Sequence, residues 1–543
     1  MLDNIPILSL ITFSPLLGIL VLLFMPRGNG RWLKIVGIAT TLLPLVLSIL
    51  LFTQFDRHSG EVQFVENVTW MHIPLNQEGK FIYGLSDYFI QIQYKMAVDG
   101  MSLVLLVLTA LVSVMAALAA AHIKKRWKTF YILYLLMEIG LLGVFMARDL
   151  ILFFIFFELV LVPTFFLIGI WGYKERERAA NKFLLYNGIG SAVMLIAFLI
   201  LINTAGFVAV PGEQGTTAYY TSDYDQIVQN LNNSQALVNY GAELQPGFPN
   251  PMHLGDTMKW ALFLMILIAF GIKLPIFPFH TWMLKVHAEA PPSIVMVHSG
   301  IMLKMGAYGL IRFGMELFPG QTKEWAFMIA VLGVINILYG AVLAFRQAEF
   351  KLVLAYSSIS HMGIILLGIA ALNVLGVKAA IFQMLSHGLI SALLFLLVGS
   401  IVERTGSTEL NELGGLAKSI PFIGGILMLA GLASLGLPGL SGFVAELMAF
   451  TSLFDSHPAV TVIGMIGIIL AAVYMLRAVL KITFGPIPER FELLKEARLI
   501  EAVPMVTLAA AIVLVGVYPS LFDQQIQETV NAMLQNFDMR IGG

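Results

Sequence analysis

The chain has no cysteine and little charge: of its 543 residues only 12% are Asp, Glu, Lys or Arg, while 58% are apolar and the mean hydropathy is +0.86. Without cysteine there can be no disulfides, no thiolate-held iron–sulfur clusters and no Cys-based zinc sites, and the redox compartment cannot be read. So little charge excludes an ordinary soluble domain, in which about 25% of residues are charged. A formal net charge of −1 gives no hint of nucleic-acid binding. Neither a Rossmann fingerprint nor a P-loop is present, so no cofactor is expected. The apolar run from Ile5 to Met25 has no Lys or Arg before it and no small-residue cleavage site after it, and reads as a retained span instead of a signal peptide.

What remains is long apolar runs. A bilayer core needs about 20 apolar residues per helix. Windows near 5–25, 32–54, 97–121, 128–147, 150–171, 183–203, 260–284, 292–311, 325–345, 352–372, 379–402, 420–452, 459–480 and 500–520 predict an all-α polytopic membrane protein of about fourteen passes. The seventh and twelfth are read as single interrupted passes. The expected organisation is an N-terminal three-helix segment (1–121) with an outer loop at 55–96, a first five-helix unit (128–313) with an outer loop at 204–259, a second such unit (325–484), and a C-terminal helix and tail (500–543).

Lys and Arg sort unevenly between alternate loops. Twenty fall on one side, from Arg27, Arg31 and Lys34 to Lys481, Arg490, Lys495 and Arg498, against nine on the other: Arg57, Lys80, Lys95, Arg148, Lys259, Arg312, Lys323, Lys378 and Arg540. The positive-inside rule makes the first side cytoplasmic and puts both termini and both long loops outside. The loop at 204–259 is polar enough to be a surface excursion. Of the three basic residues left over, Arg477 can snorkel from near the end of its span; Lys273 and Lys304 lie near mid-span and cannot.

AANKFLLYNGIGSA (179–192) aligns with AAIFQMLSHGLISA (379–392) at six positions, and the next helix in each half carries a Leu-Pro break, Leu274-Pro275 and Leu437-Pro438. By the loop charges the two segments run in opposite directions, so the fourth to eighth and ninth to thirteenth passes form an inverted repeat, with passes seven and twelve broken. Broken helices expose backbone groups that bind ions or water, as in ion-coupled transporters.

Seven titratable residues stand near mid-span: Glu138, Glu158, Lys273, Lys304, His361, His387 and Glu446. A charge at the bilayer centre costs about 2.5–3.5 kcal/mol on insertion scales, so these groups must be paired, neutral or hydrated by a shared interior path. Histidine exchanges protons near neutral pH, and a carboxylate moved toward or away from Lys273 changes its affinity for a proton. Glu158 is the candidate partner. His280, His287 and His298 fall nearer the cytoplasmic ends and read as interfacial.

In combination, FFELVLVPTFFLIGIWG, GIKLPIFPFHTW, HAEAPPSIVMVHSGIMLKMGAYGLIRF, FKLVLAYSSISHMG, FQMLSHGLISALLFLLVG and LPGLSGFVAELMAF resemble the antiporter-like subunit M family of bacterial NADH:quinone oxidoreductase, respiratory complex I. The resemblance implies a proton-translocating subunit of a bacterial plasma-membrane complex, with neighbouring antiporter-like subunits as partners, membrane lipid around it, and NADH and quinone acting at other subunits. It further implies that Glu158 and Lys273 form an acid–lysine pair, that Lys304 is the central carrier, that His361 and His387 extend the path, and that Glu446 is the terminal group on the second broken helix. Two positions depart from the family pattern: Lys285, where an aspartate is usual, and His298, where an apolar or small residue is.

Two other functions compete. A subunit of a multi-subunit sodium/proton antiporter shares the fold and the lysines, with the GIWG and KMGAYGLIRF contexts arguing against it. A haem protein with His361 and His387 as axial ligands is the other.

Overall fold

The computed structural model describes residues 5–75, 85–212 and 215–541. Lys80, counted above among the outer charges, lies outside the described residues. In chain order the helices are α1 (Ile7–Phe24), α2 (Gly30–Gln54), α3 (Gly100–Ala119), α4 (Trp127–Met146), α5 (Leu150–Trp171), α6 (Arg176–Thr204), α7 (Tyr224–Asn232), α8 (Asp256–Lys273), α9 (Thr281–Glu289) and α10 (Pro292–Met315). There follow α11 (Pro319–Arg346), α12 (Phe350–Ala370), α13 (Val374–Thr405), α14 (Pro421–Ser434), α15 (Ser441–Phe454), α16 (Pro458–Thr483), α17 (Leu499–Val517) and α18 (Ser520–Ile541). Twelve described helices are long and apolar enough to cross a membrane; α8 with α9, and α14 with α15, are the two segments read as interrupted passes.

The helix starts follow from local chemistry. Proline, whose missing N–H costs nothing in a first turn, opens α10, α11, α14 and α16. Asp99, Asp149 and Asn373 cap α3, α5 and α13 by accepting hydrogen bonds from first-turn N–H groups. The break after α8 falls where Pro275 has no N–H to continue the ladder, and side chains satisfy the groups it frees. Asn336 of α11 accepts from Phe277 N at 2.8 Å and donates to Pro275 O at 3.4 Å, while Trp282 Nε1 donates to Ile272 O at 3.0 Å. In the second break Gly436 holds φ +78° and Gly439 φ +91°, a region that favours glycine.

Alternate loops meet on opposite faces. On the face rich in basic residues, Trp171 donates to Lys125 O, Lys34 to Ala121 O, and Arg404 pairs with Glu501 at 2.8 Å. The opposite face is more structured than the sequence reading allowed. Its two long loops pair into a four-stranded sheet of order β1-β2-β4-β3, in which β1 (Gln63–Pro74) is antiparallel to β2 (Leu85–Val98) and β2 is parallel to β4 (Gly215–Thr221). The last strand, β3 (Phe207–Gly212), is antiparallel to β4. A small hairpin of β5 (Glu243–Gln245) and β6 (Phe248–Pro249) follows.

Charges assigned to outer loops are buried under that sheet. Arg312 pairs with Asp99 and, at 2.8 Å, with Glu316; Arg148 pairs with Asp225; Lys95 bridges Asp223 and Asp225, each at 2.8 Å. Burial opposes ionisation of Asp225, but the neighbouring Arg148 and Lys95 hold its carboxyl below the usual 3.8. The network clamps the loops onto the ends of α3, α5 and α10. Residues 520–541, expected to be a tail, form α18 instead. Its apolar stripe Ile526, Val530, Met533, Leu534 and Phe537 is buried, and Lys378 reaches it through Asp523 at 2.5 Å.

Candidate functional site

Lys304 sits in α10, between two stretches with π-helical turns, His298–Met302 and Leu310–Met315. Such widening frees a carbonyl from the regular ladder and recurs at functional sites. Here the freed carbonyl, five residues back at Ser299, accepts from Lys304 Nζ at 2.6 Å. The same ammonium lies 2.6 Å from His387 Nδ1 of α13. Close approach of α10 to the first break fixes this position: a Cβ on Gly306 would stand 2.5 Å from Leu274 N and 2.8 Å from Phe270 O.

Beyond His387 the contacts continue across the second half. The ring of His387 is 5.4 Å from that of His361 on α12, centroid to centroid. His361 Nδ1 is 3.7 Å from Glu446 Oε1 on α15, with Gln383 Nε2 at 3.3 Å from the same nitrogen and Ser434 Oγ at 3.4 Å from Nε2. Ser357, Ser358, Ser391 and Ser434 line a cavity beside the two histidines, so the surroundings offer hydroxyls that accept and donate. Glu446 itself folds against the break, where a Cβ on Gly436 would lie 2.5 Å from its Oε2. Four expected residues, Lys304, His387, His361 and Glu446, thus form one buried file.

The remaining three are placed differently. Lys273 ends α8 and is 2% exposed; its Nζ has no hydrogen-bond partner among the described residues and lies 4.8 Å from the ring of Phe157 and 5.7 Å from that of Phe183. Glu158 of α5 is the carboxylate whose charge acts on it, yet the two make no ion pair within hydrogen-bonding range among the described contacts. Glu138 of α4 is fully buried with neither oxygen partnered, and no described contact joins it to the other six.

Sequence reasoning missed a second histidine pair. His287 and His298, read as interfacial, are both 0% exposed, and His287 Nε2 is 3.0 Å from His298 Nδ1. Asn336 was missed as well, since nothing local in a polar residue on an apolar helix says which break it serves. Lys285, the other departure, pairs with Glu175 at 2.8 Å on the surface. The grouping of His122, Glu403 and Glu501 has metal-ligand composition, but Arg404 and Arg498 already satisfy its carboxylates at 2.8 and 2.9 Å. It reads as an ion-paired clasp. A haem between His361 and His387 has no room: the cavity beside them offers only about 10 Å³, far under the roughly 300–1,000 Å³ usual for ligand pockets.

Two broken helices facing a buried file of lysine, histidine and glutamate define an antiporter-like membrane protein. Comparison with known proteins agrees. Residues 147–471 match the family described as NADH:quinone oxidoreductase/Mrp antiporter, TM. The chain is 37% identical over 542 residues to NAD(P)H-quinone oxidoreductase chain 4 2 of Thermosynechococcus vestitus, covering 98% of this chain and 92% of that protein. With NADH-quinone oxidoreductase subunit M of Rhodobacter capsulatus the identity is 35%, covering 99% and 98%. A chain in the structure of respiratory complex I from Thermus thermophilus superposes with a TM-score of 0.78 at 26% identity, covering 98% of this chain and 99% of that one. The chain belongs to the NADH:quinone oxidoreductase/Mrp antiporter family of multi-pass membrane proteins.

Proposed function

We propose that this chain is the antiporter-like subunit M of an NADH:quinone oxidoreductase in a bacterial plasma membrane, and that it moves protons while the redox chemistry occurs in partner subunits. The observation that carries the reading is the contact sequence Lys304, His387, His361, Glu446. Lys304 passes the proton it shares with His387 Nδ1 and becomes a neutral amine; the imidazolium formed hands its proton to His361 through an intervening hydroxyl or water, and His361 delivers it to the Glu446 carboxylate. Glu158 and Lys273 act as the switch. When the carboxylate closes on the lysine it stabilises the ammonium, and when it withdraws the uncompensated charge favours release.

Fourteen passes, with residues 128–313 and 325–484 as inverted halves, put both termini on the outer, sheet-bearing side. Exposed apolar faces on α1 (Leu17, Phe24), α2 (Val46) and α16 (Ile469) suit lipid and neighbouring antiporter-like subunits. NADH and quinone act at those other subunits, and no cofactor is assigned to this chain. The family description also covers Mrp antiporters, which keeps a subunit of a multi-subunit sodium/proton antiporter as the alternative. Donor-driven acidification of vesicles carrying the assembled complex decides between them. Proton uptake unchanged in sodium-free medium and with a sodium ionophore supports the proposal; uptake abolished by either establishes sodium exchange.

A further inference from the structure

We propose that Asn336 is a positioning residue for the Lys273–Glu158 switch: it ties the break that follows Lys273 to the second half of the molecule, so that movement of one half reaches the lysine of the other. This rests on the switch reading above. Asn336 stands on α11, the first helix of the second unit, and is 0% exposed. Its side chain bonds to the break in the first unit, accepting from Phe277 N at 2.8 Å and donating to Pro275 O at 3.4 Å. One turn further along α11, Tyr339 Oη lies 3.2 Å from His280 Nε2, and its ring is 5.3 Å from that of Phe277. Among the described contacts these are the two side chains that bond residues 274–280 from outside the segment, and both belong to the other half.

Closing a break does not require such a bond. In the second break, residues 435–440, the backbone closes on itself: Leu437 N donates to Leu432 O at 3.0 Å and Leu440 N to Leu437 O at 3.1 Å, with no side chain of another helix bonded to it among the described contacts. The first break has the same kind of internal closure, Ile276 N to Gly271 O at 2.9 Å and Phe279 N to Ile276 O at 2.7 Å. What Asn336 adds is a fixed distance between the break and α11. That helix is in turn fastened to α12, since a Cβ on Gly340 would stand 2.7 Å from both Ser360 N and Tyr356 O, and Ser360 Oγ donates to Ile337 O at 3.1 Å. Such a chain of close-packed elements can carry coupling between sites. α12 bears His361, so Asn336 links the helix of His361 to residues two and four places beyond Lys273.

The position of Lys273 matters because its Nζ has no hydrogen-bond partner among the described residues and Glu158 acts on it by charge. A Coulomb interaction changes with distance, so a displaced break changes how firmly the lysine holds its proton. The titratable groups close enough to feel the Lys273 charge are Glu158 of α5 and His298 of α10. Substitution at 336 leaves both in place.

Asn336→Leu tests this, because it keeps a branched side chain of similar length and removes both bonds. In membranes containing the assembled complex, donor-driven proton uptake per complex is expected to fall about tenfold or more, since misplacing a reacting group by about 1 Å can cost about 10²-fold. The midpoint of its pH profile is expected to move by about half a unit or more. An assembled variant that keeps a third or more of wild-type uptake overturns the proposal, and so does one with lower uptake at an unchanged midpoint, the mark of a structural brace. Should Asn336→Leu not assemble, Asn336→Ser, too short to reach either backbone group and small enough to leave room for water, is read by the same two measures. Glu158→Gln, measured in parallel, separates this proposal from the reading beneath it. Wild-type uptake and midpoint in Glu158→Gln sink the switch itself, whereas a moved midpoint there beside an unmoved one in the Asn336 variant removes only the positioning role.

Discussion

Replacing Lys273 by arginine separates a switching lysine from a structural charge. The Lys273 ammonium has no hydrogen-bond partner among the described residues and lies 4.8 Å from the ring of Phe157 and 5.7 Å from that of Phe183. Desolvated cation–π contacts contribute about 1–2 kcal/mol each, and a guanidinium stacks on aromatic rings at least as well as an ammonium. The larger head group must overpack this site, at about 1–3 kcal/mol. Retained cation–π attraction and the surviving attraction to Glu158 offset that penalty, so the Arg variant should assemble. What it cannot do is release a proton, because a guanidinium stays charged at any accessible pH. Proton transfer by a positioned group contributes about 10²–10⁴-fold, and the loss of pumping should fall in that range. Complex content by native electrophoresis, quinone reduction and vesicle acidification are measured on the same membranes. An assembled Arg variant that pumps normally would refute the switch and leave Lys273 as a structural charge. Under the proposed switch Glu158→Gln should lower turnover similarly, and the double variant should lose little more, as expected of two residues acting as one unit.

Two further outcomes follow from other parts of the molecule. Gly436→Ala places a side chain at φ +78° and against Glu446 Oε2; it should cost about 1–2 kcal/mol in backbone strain and displace the carboxylate, so pumping should fall more than assembly does. On the sheet-bearing face, Asp225 has a folded-state carboxyl pKa held below 3.8 by Arg148 and Lys95 against the opposing effect of burial. A group depressed on folding gives stability that is present above its unfolded value and lost as pH falls through the folded one. The loop around α7 should therefore resist protease at neutral pH and become susceptible below about pH 3.8. Asp225→Asn should weaken that pH dependence, leaving the share of Asp99, whose carboxyl Arg312 and Arg148 also hold below 3.8 against burial.

Much of this was legible in the sequence, and the reasons are specific. The long helices announce themselves because lipid demands continuous apolar runs, and Lys304, His387, His361 and Glu446 stand out because a titratable group in such a run is costly. Their order in space, in contrast, needs tertiary packing: nothing in the chain says that His387 would meet Lys304 across 83 positions. The sheet was written in the alternation of QFVENVTW and YFIQIQYK, a period-two pattern, but strands in outer loops are hard to tell from polar excursions when attention is on hydropathy. Arg148 and Arg312 were read as loop charges, since burial beneath a sheet built from two distant loops leaves no local trace. His287 and His298 were placed at the interface by counting residues from the span ends. The packing of Phe183, Trp282 and Phe395 around them is what removes them from water.

The central claim is that protons cross this subunit through the buried file ending at Glu446. Glu446→Gln preserves the volume and hydrogen bonding of the side chain, whose carboxylate lies 3.7 Å from His361, and removes only its ionisation. The decisive measurement is the rate of proton movement and the rate of quinone reduction, each per assembled complex, in the reconstituted complex carrying this single change. A complex that assembles fully but shows pumping and quinone reduction falling together is the predicted result; an unchanged proton-to-electron ratio at normal turnover would contradict the account.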